Sequence, residues 1–193
     1  MGYKYPTPQL LFKAICNAIR SKTGNSDEIP HQNIPDELDN FMNKEEYNRF
    51  IDIIEGTSFI NDRITTVKGK LFYYCTSLTT VDLPECTSIH RKTFQNCTSL
   101  TTINLPKCTT LEYDVFSNCT SLTTIILSNN QVTTLDDISV FTDSSIANGT
   151  GYIYVPDNLV DSYKSDTNWS TYANQIKPLS ELPSNLKEEY GYD

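Results

Sequence analysis

The sequence predicts an α+β fold: a short solenoid of parallel strands on a 22-residue period, entered through a helical segment and closed by a cap. Three observations carry this expectation. Cysteines recur every eleven residues, at 75, 86, 97, 108 and 119. Residues 75–96, CTSLTTVDLPECTSIHRKTFQN, and residues 97–118, CTSLTTINLPKCTTLEYDVFSN, agree at twelve of twenty-two positions. Before Gly56 that period is absent, and apolar residues fall on helical stripes instead. A fixed period of about 20–50 residues marks a chain that stacks one structural unit on the next, and it outranks local propensity.

The boundaries follow from where the pattern starts and stops. Residues 1–55 form a helical segment, residues 56–156 the solenoid, and residues 157–193 a cap with a polar tail. Within each coil, L-x-x-[VI]-x-L turns Leu78, Val81 and Leu83 inward, and likewise Leu100, Ile103 and Leu105. The last two of each set are two residues apart, as a short strand requires. Pro84 and Pro106 then stop the strand, because proline has no N–H for a ladder. An upstream copy is visible in ITTVKGKLFYY, where Val67 matches Ile89 and Leu111, and Phe72 matches Phe94 and Phe116. Residues 119–140 begin as a third clear copy and then drift, and YIYVP at 152–156 supplies a last strand. One coil cannot bury its own apolar face, so three or more must stack.

The cysteines fit as small apolar fillers where the coil turns inward. Cys75, Cys97 and Cys119 form one column, Cys86 and Cys108 another. Cysteine packs like a small hydrophobe and is among the most buried residue types. Zinc needs three or four converging ligands, usually from closely spaced Cys pairs, and no C-x-x-C occurs. Parallel side chains one rung apart also sit too far apart at Cβ for a relaxed disulfide. The expectation is buried, reduced thiols without metal.

The pattern C-x-x-L-x-x-[VI]-x-L-P-x-C-x-x-[IL]-x-x-x-x-F resembles the BspA-like leucine-rich repeats over about residues 53–156. That resemblance implies coils with a strand, a second short extended segment and a Phe-bearing turn. The family often has Ala before the Phe, whereas Leu71, Thr93 and Val115 stand there in this chain.

The flanks carry expectations of their own. Thr7 caps and Pro8 opens a first helix whose stripe is Leu10, Leu11, Ala14, Ile15, Ala18 and Ile19, with Gly24 as its stop. A second helix is predicted over 35–55, with Leu38, Phe41, Met42, Phe50, Ile51 and Ile54 as its apolar set. Leu10, Leu11, Ile15, Phe41 and Met42 exceed what two short helices need to cover each other, which marks them as attachment residues. The segment A-I-R-x-K-T-G at residues 18–24 resembles an N-terminal stretch of bacteriophage and prophage virion proteins. At the other end, YVPDNLVDSYKSDTNWSTYANQIKPLSEL resembles a closing segment of similar repeat proteins in phages and gut bacteria. Residues 157–165 are predicted helical, and Trp169 is placed over the open end of the last coil, its rival role being to stack a ligand. The tail SNLKEEYGYD is acidic and polar, and a loose end is expected.

Charge and motif content exclude several function classes. Fifteen basic against twenty-four acidic side chains leave −9, a poor partner for nucleic acid or anionic membrane. No apolar run reaches the ~18 residues of a membrane span, so no membrane insertion is expected. The first twenty residues lack a secretory pattern, because Lys13 and Asn17 interrupt the apolar stretch. No H-E-x-x-H, G-x-S-x-G, Walker loop or G-x-G-x-x-G is present. His31 falls in a polar turn, and His90 at a surface position that Lys68 and Glu112 fill elsewhere. The acidic run from Asp36 to Glu46 reads as a wet helix face, and DDISVFTD at 136–143 lacks a calcium loop's glycine and distal glutamate. No enzyme, cofactor or metal site is therefore expected.

A surface remains. Inward residues alternate with outward ones, so the outward columns can be written down: Thr80, Thr102, Thr124 and Tyr152, and beside them Asp82, Asn104, Ile126 and Tyr154. Solenoids commonly bind along such faces. The threonines also serve simple strand propensity, and both readings stand. Together with the resemblances, this implies a structural or host-interaction protein of a bacteriophage or phage-like particle. It would be made in the host cytoplasm and located in the virion, as a homo-oligomer. Its partners would be other virion proteins and a host surface protein or glycan. The rival readings are a cell-surface adhesin and an intracellular scaffold.

Overall fold

The computed structural model describes residues 58–192. The helices expected before Gly56, and with them Leu10, Leu11, Ile15, Phe41 and Met42, lie outside the described residues. From Ser58 onward the chain winds as a coil whose successive turns lay down two parallel sheets.

The first sheet has six strands: β1 (Ser58–Ile60), β3 (Thr80–Asp82), β5 (Thr102–Asn104), β7 (Thr124–Ile126), β9 (Tyr152–Val155) and β10 (Ile176–Pro178), neighbours in that order. The second has four: β2 (Thr66–Val67), β4 (Ser88–Ile89), β6 (Thr110–Leu111) and β8 (Thr134–Leu135). All pairings are parallel. Parallel pairing follows from the winding, since each coil re-enters from the same side.

Register repeats the sequence period. Ser58 pairs with Thr80, Thr80 with Thr102 and Thr102 with Thr124, steps of 22 residues. The drift expected in the last coil has a physical form. Thr110 pairs with Thr134, a step of 24, because the corner between β7 and β8 is two residues longer than its predecessors. Asn129 then donates its Nδ2–H to the Cys108 carbonyl (3.1 Å), restoring a bond in the lengthened corner. By β9 the step is 28 residues, Thr124 to Tyr152.

The core is built from columns. Val81, Leu83, Ile89, Leu100, Ile103, Leu105, Leu111, Ile125 and Ile153 are fully buried. Phe72, Phe94, Phe116 and Phe141 stack nearly parallel, with centroids 5.0, 5.6 and 5.7 Å apart. The five cysteines after residue 58 are buried as the period requires. Cys97 and Cys119 donate S–H to the carbonyls of Phe72 and Phe94 in the preceding coil, both at 3.0 Å. Burial pushes the Cys86 thiol up to about 11 and those of Cys108 and Cys119 to about 12. Such thiols stay protonated at neutral pH and make poor nucleophiles.

Two further columns explain residues that the pattern left unassigned. Thr101 and Thr123 donate Oγ1–H to the carbonyls of Thr79 and Thr101 one rung back (2.9 and 3.3 Å), and Thr87 and Thr109 do the same to Thr65 and Thr87 (3.0 Å each). These threonines tie coils together. The Phe-bearing turns need left-handed backbone twice per coil: at Lys70, Lys92 and Asp114, and again at Tyr74, Asn96, Asn118 and Asp143, with φ between 55° and 63°. Asn and Asp tolerate that region, whereas a bulky residue such as Tyr74 pays roughly 1 kcal/mol for it.

The end of the solenoid is closed as anticipated, by more than a short helix. A 3₁₀ turn, Asp157–Leu159, leads into α1 (Val160–Ser165), and a second 3₁₀ turn carries Trp169–Tyr172. Trp169 and Tyr163 are fully buried, and Trp169 and Tyr172 both lie against Phe141 (6.0 and 5.1 Å). Trp169 therefore ends the phenylalanine column. It also donates Nε1–H to the Thr133 carbonyl (2.7 Å), while Asn168 Nδ2–H reaches the Leu135 carbonyl (2.7 Å) and Tyr163 Oη accepts from Thr133 N–H (2.9 Å). Three backbone groups at this edge, Thr133 N–H and C=O and Leu135 C=O, are thus bonded by cap side chains. The chain then adds β10, a strand that the repeat did not reveal.

Candidate binding surface

The outward columns of the six-stranded sheet form in the predicted register, Thr80–Thr102–Thr124–Tyr152 and Asp82–Asn104–Ile126–Tyr154. Side-chain bonds run along them between coils. Thr80 Oγ1–H donates to Ser58 Oγ (2.6 Å), and Asn104 Nδ2–H to Asp82 Oδ1 (2.9 Å).

Exposure corrects the expectation of an open face. Thr102, Asn104, Thr124, Ile126 and Tyr154 are buried, Ile126 completely. What covers Asn104, Ile126 and Tyr154 is the tail, which packs on the face where a loose end is expected. After β10 a 3₁₀ turn (Leu179–Glu181) leads to Leu182, Pro183 and α2 (Ser184–Tyr190), which closes on the left-handed Gly191 (φ 72°). Leu182 is buried against Ile126 and Tyr154, with Leu179, Leu186, Tyr190 and Tyr192 packed around them. Tyr192 Oη donates to Asn104 Oδ1 (2.9 Å) and shares a hydrogen bond with Ser128 Oγ (2.9 Å).

The cover is shallow and graded. No residue of α2 is buried. Among the described residues, the backbone–backbone bonds of 182–192 stay within residues 179–192, and Ser180 N–H reaches the Asp157 carboxylate (3.0 Å). Toward the first coils the face opens: Thr80 and Asp82 are half-exposed, and Ile60 on β1 is 69% exposed. Tyr152 is exposed at the other end, with Lys177 Nζ 5.7 Å from its ring centroid.

Electrostatics along the covered stretch are uneven. Burial raises the Asp82 carboxyl above its usual range; the Asn104 hydrogen bond opposes this, and the Glu189 charge adds to it. The tail thus sets a like charge near a partly desolvated carboxylate. Burial likewise raises the Tyr190 and Tyr192 hydroxyls, so both stay protonated donors at neutral pH.

Other positions singled out in the sequence fall elsewhere. His90 is half-exposed on the opposite turn region, with Nδ1 3.0 Å from Glu112 Oε1. It lines an open depression of about 540 Å³ with Lys68, Lys70, Arg91 and Glu112. Glu112 Oε2 also accepts from Arg91 N–H (2.8 Å), so this carboxylate is already engaged with two neighbours. Asp137, in the acidic stretch compared with a calcium loop, accepts from Ser139 N–H (2.7 Å) and caps the 3₁₀ turn Ile138–Phe141. Among the described residues no three His, Cys, Asp or Glu side chains are grouped to hold a metal ion. Nor is any helix there long and apolar enough to cross a membrane.

One comparison with known proteins bears on this surface. The family model for the BspA type leucine-rich repeat region matches residues 47–160, in six copies. No curated protein is similar enough to the chain to count as a relative.

Proposed function

The chain belongs to the BspA-type leucine-rich repeat family, and we propose that it acts as a non-enzymatic structural and host-interaction protein of a bacteriophage or phage-like particle. The repeats point to protein binding in general, and proteins of this family are typically not enzymes. The observation that carries the binding role is that the six-stranded face already holds a polypeptide: Leu182 and Tyr192 seat on Ile126, Tyr154 and Asn104. A face that takes leucine and tyrosine side chains from its own chain has the chemistry for a protein partner rather than a glycan.

The virion setting is supported by the A-I-R-x-K-T-G segment at residues 18–24 and by the closing segment after Tyr154. In this reading residues 1–55 attach to neighbouring virion subunits through Leu10, Leu11, Ile15, Phe41 and Met42, and the coils of 56–156 project toward the host. Copies of the chain associate through the same helices, because symmetric assembly is the commonest use of spare apolar helix faces. The protein is made in the host cytoplasm and ends in the particle.

Co-sedimentation of the full chain with purified particles tests this. The unmodified chain should travel with particles, and a chain carrying Leu10→Asp, Ile15→Asp and Phe41→Asp should stay in the supernatant. If the protein fractionates with bacterial envelopes and never with particles, the adhesin reading replaces this one.

A further inference from the structure

We propose that the covered stretch of the six-stranded face is a docking site for an amphipathic protein segment, with residues 179–192 as its displaceable resident. The partner segment presents leucine and tyrosine as the resident does, and places a cation where the resident has Glu189. This inference rests on reading that face as the protein-binding surface.

Three features of the resident define the partner. Its contact residues are Leu186 and Tyr190, one turn apart on α2, and Leu179 and Leu182, which come from the 3₁₀ turn and the extended link before it. The seat they meet, Ile126 and Tyr154, is the apolar part of a column that begins with Asp82 and Asn104. Leucine and tyrosine are therefore recognised at one end of the site, and polar donors at the other. Tyr192 shows the second mode, giving its hydroxyl proton to Asn104 Oδ1.

The resident also fits imperfectly, which makes it displaceable. It buries one leucine fully and leaves every residue of α2 at least partly in solvent. Its charge suits Lys177 on β10, which pairs with Glu181 (3.0 Å), but not Asp82. Asp82 receives a neutral donor, Asn104 Nδ2, and faces the like charge of Glu189. A segment with lysine or arginine at that place exchanges repulsion for attraction beside the half-buried Asp82 carboxylate. Such a partner competes with the resident although the resident is tethered.

The test uses the full chain and two synthetic peptides, one with the sequence of residues 179–192 and one with Glu189→Lys. Binding is measured by fluorescence anisotropy, and hydrogen exchange of residues 179–192 is followed in parallel. The Glu189→Lys peptide should bind the unmodified chain about two- to fivefold more tightly than its parent. It should also speed exchange of the resident segment, and raising salt should shrink its advantage. Loosening the resident with Leu182→Ser, or with Tyr192→Phe if the first variant unfolds, should tighten both peptides severalfold. If the resident exchanges rapidly in a folded, loosened variant and neither peptide binds it, the docking site is disproved. Equal affinity of the two peptides overturns the charge preference. Neither result touches the co-sedimentation of the chain with particles, which tests attachment separately.

Discussion

The two segments after β9 meet the solenoid in opposite ways. Residues 157–178 close its end: Trp169 and Tyr163 are fully buried, and side chains bond to backbone groups of Thr133 and Leu135. Residues 179–192 cross its face with one buried leucine, two hydrogen bonds at the Tyr192 hydroxyl and the Glu181 pair with Lys177 on β10. The difference follows from what each location lacks. A strand edge carries unpaired N–H and C=O groups, and leaving them buried without partners costs about 1–3 kcal/mol each. A sheet face has its backbone satisfied already and asks only for contact. A segment placed over a face is therefore free to leave, whereas one placed over an edge is not.

The largest effect separating the two should come from Trp169→Ala. It empties a site at the end of the phenylalanine column and frees the Thr133 carbonyl, so about 3–5 kcal/mol of global stability should be lost in urea unfolding. A loss below about 1 kcal/mol would show that the cap does not seal the core.

Alkali offers the next test, because it acts on the core that the cap seals. The thiols of Cys86, Cys108 and Cys119 titrate at about 11 to 12 in the folded protein, against 9.0 when exposed. The unfolded chain therefore releases these protons first. Stability present at neutral pH should fall as pH rises above 9, by about 2 kcal/mol or more by pH 11. A chain with all three cysteines changed to alanine should show a flatter profile between pH 9 and 11, even though it starts less stable. An unchanged slope would mean that other groups drive the loss.

On the face, the effects should be local. Leu182→Ala should raise hydrogen exchange across residues 179–192 about tenfold while the main unfolding transition moves by less than about 1 kcal/mol. A matching drop in global stability would make the covering segment part of the core. Smallest of all, Asp82→Asn removes the repulsion toward Glu189 and should slow exchange of the same segment severalfold at pH 7. That effect should fade as pH falls through the raised range of the Asp82 carboxyl, where the native side chain becomes neutral too.

The coils were legible because their evidence is redundant. Cys75, Cys97 and Cys119, Leu83 and Leu105, and Phe72, Phe94 and Phe116 each fix the same register independently, and the pairing of Thr80 with Thr102 and of Thr102 with Thr124 agrees with it. Trp169 could be placed over the open end because an uncovered coil end is physically untenable. The covered face was not legible, because Leu179, Leu182, Leu186, Tyr190 and Tyr192 are interspersed with polar residues and meet partners far away in sequence. A signal did exist. In the outward column the polar Asp82 and Asn104 give way to Ile126 and Tyr154, and two apolar residues on an outward face require a cover. Strand β10 escaped for a different reason, since three residues outside the period carry no pattern of their own.

The ladder of threonine and backbone bonds between coils has a mechanical consequence. Each coil is held to the next by bonds lying along the solenoid axis, from Thr87 to Thr65, Thr101 to Thr79, and Thr109 to Thr87. Tension applied along that axis loads one interface at a time, because coils contact only their neighbours. The protein should therefore lengthen under load in discrete steps. Each step releases one 22-residue coil, roughly 70 Å of extended chain. A tether built this way absorbs a pull by yielding a single coil while the others keep their shape.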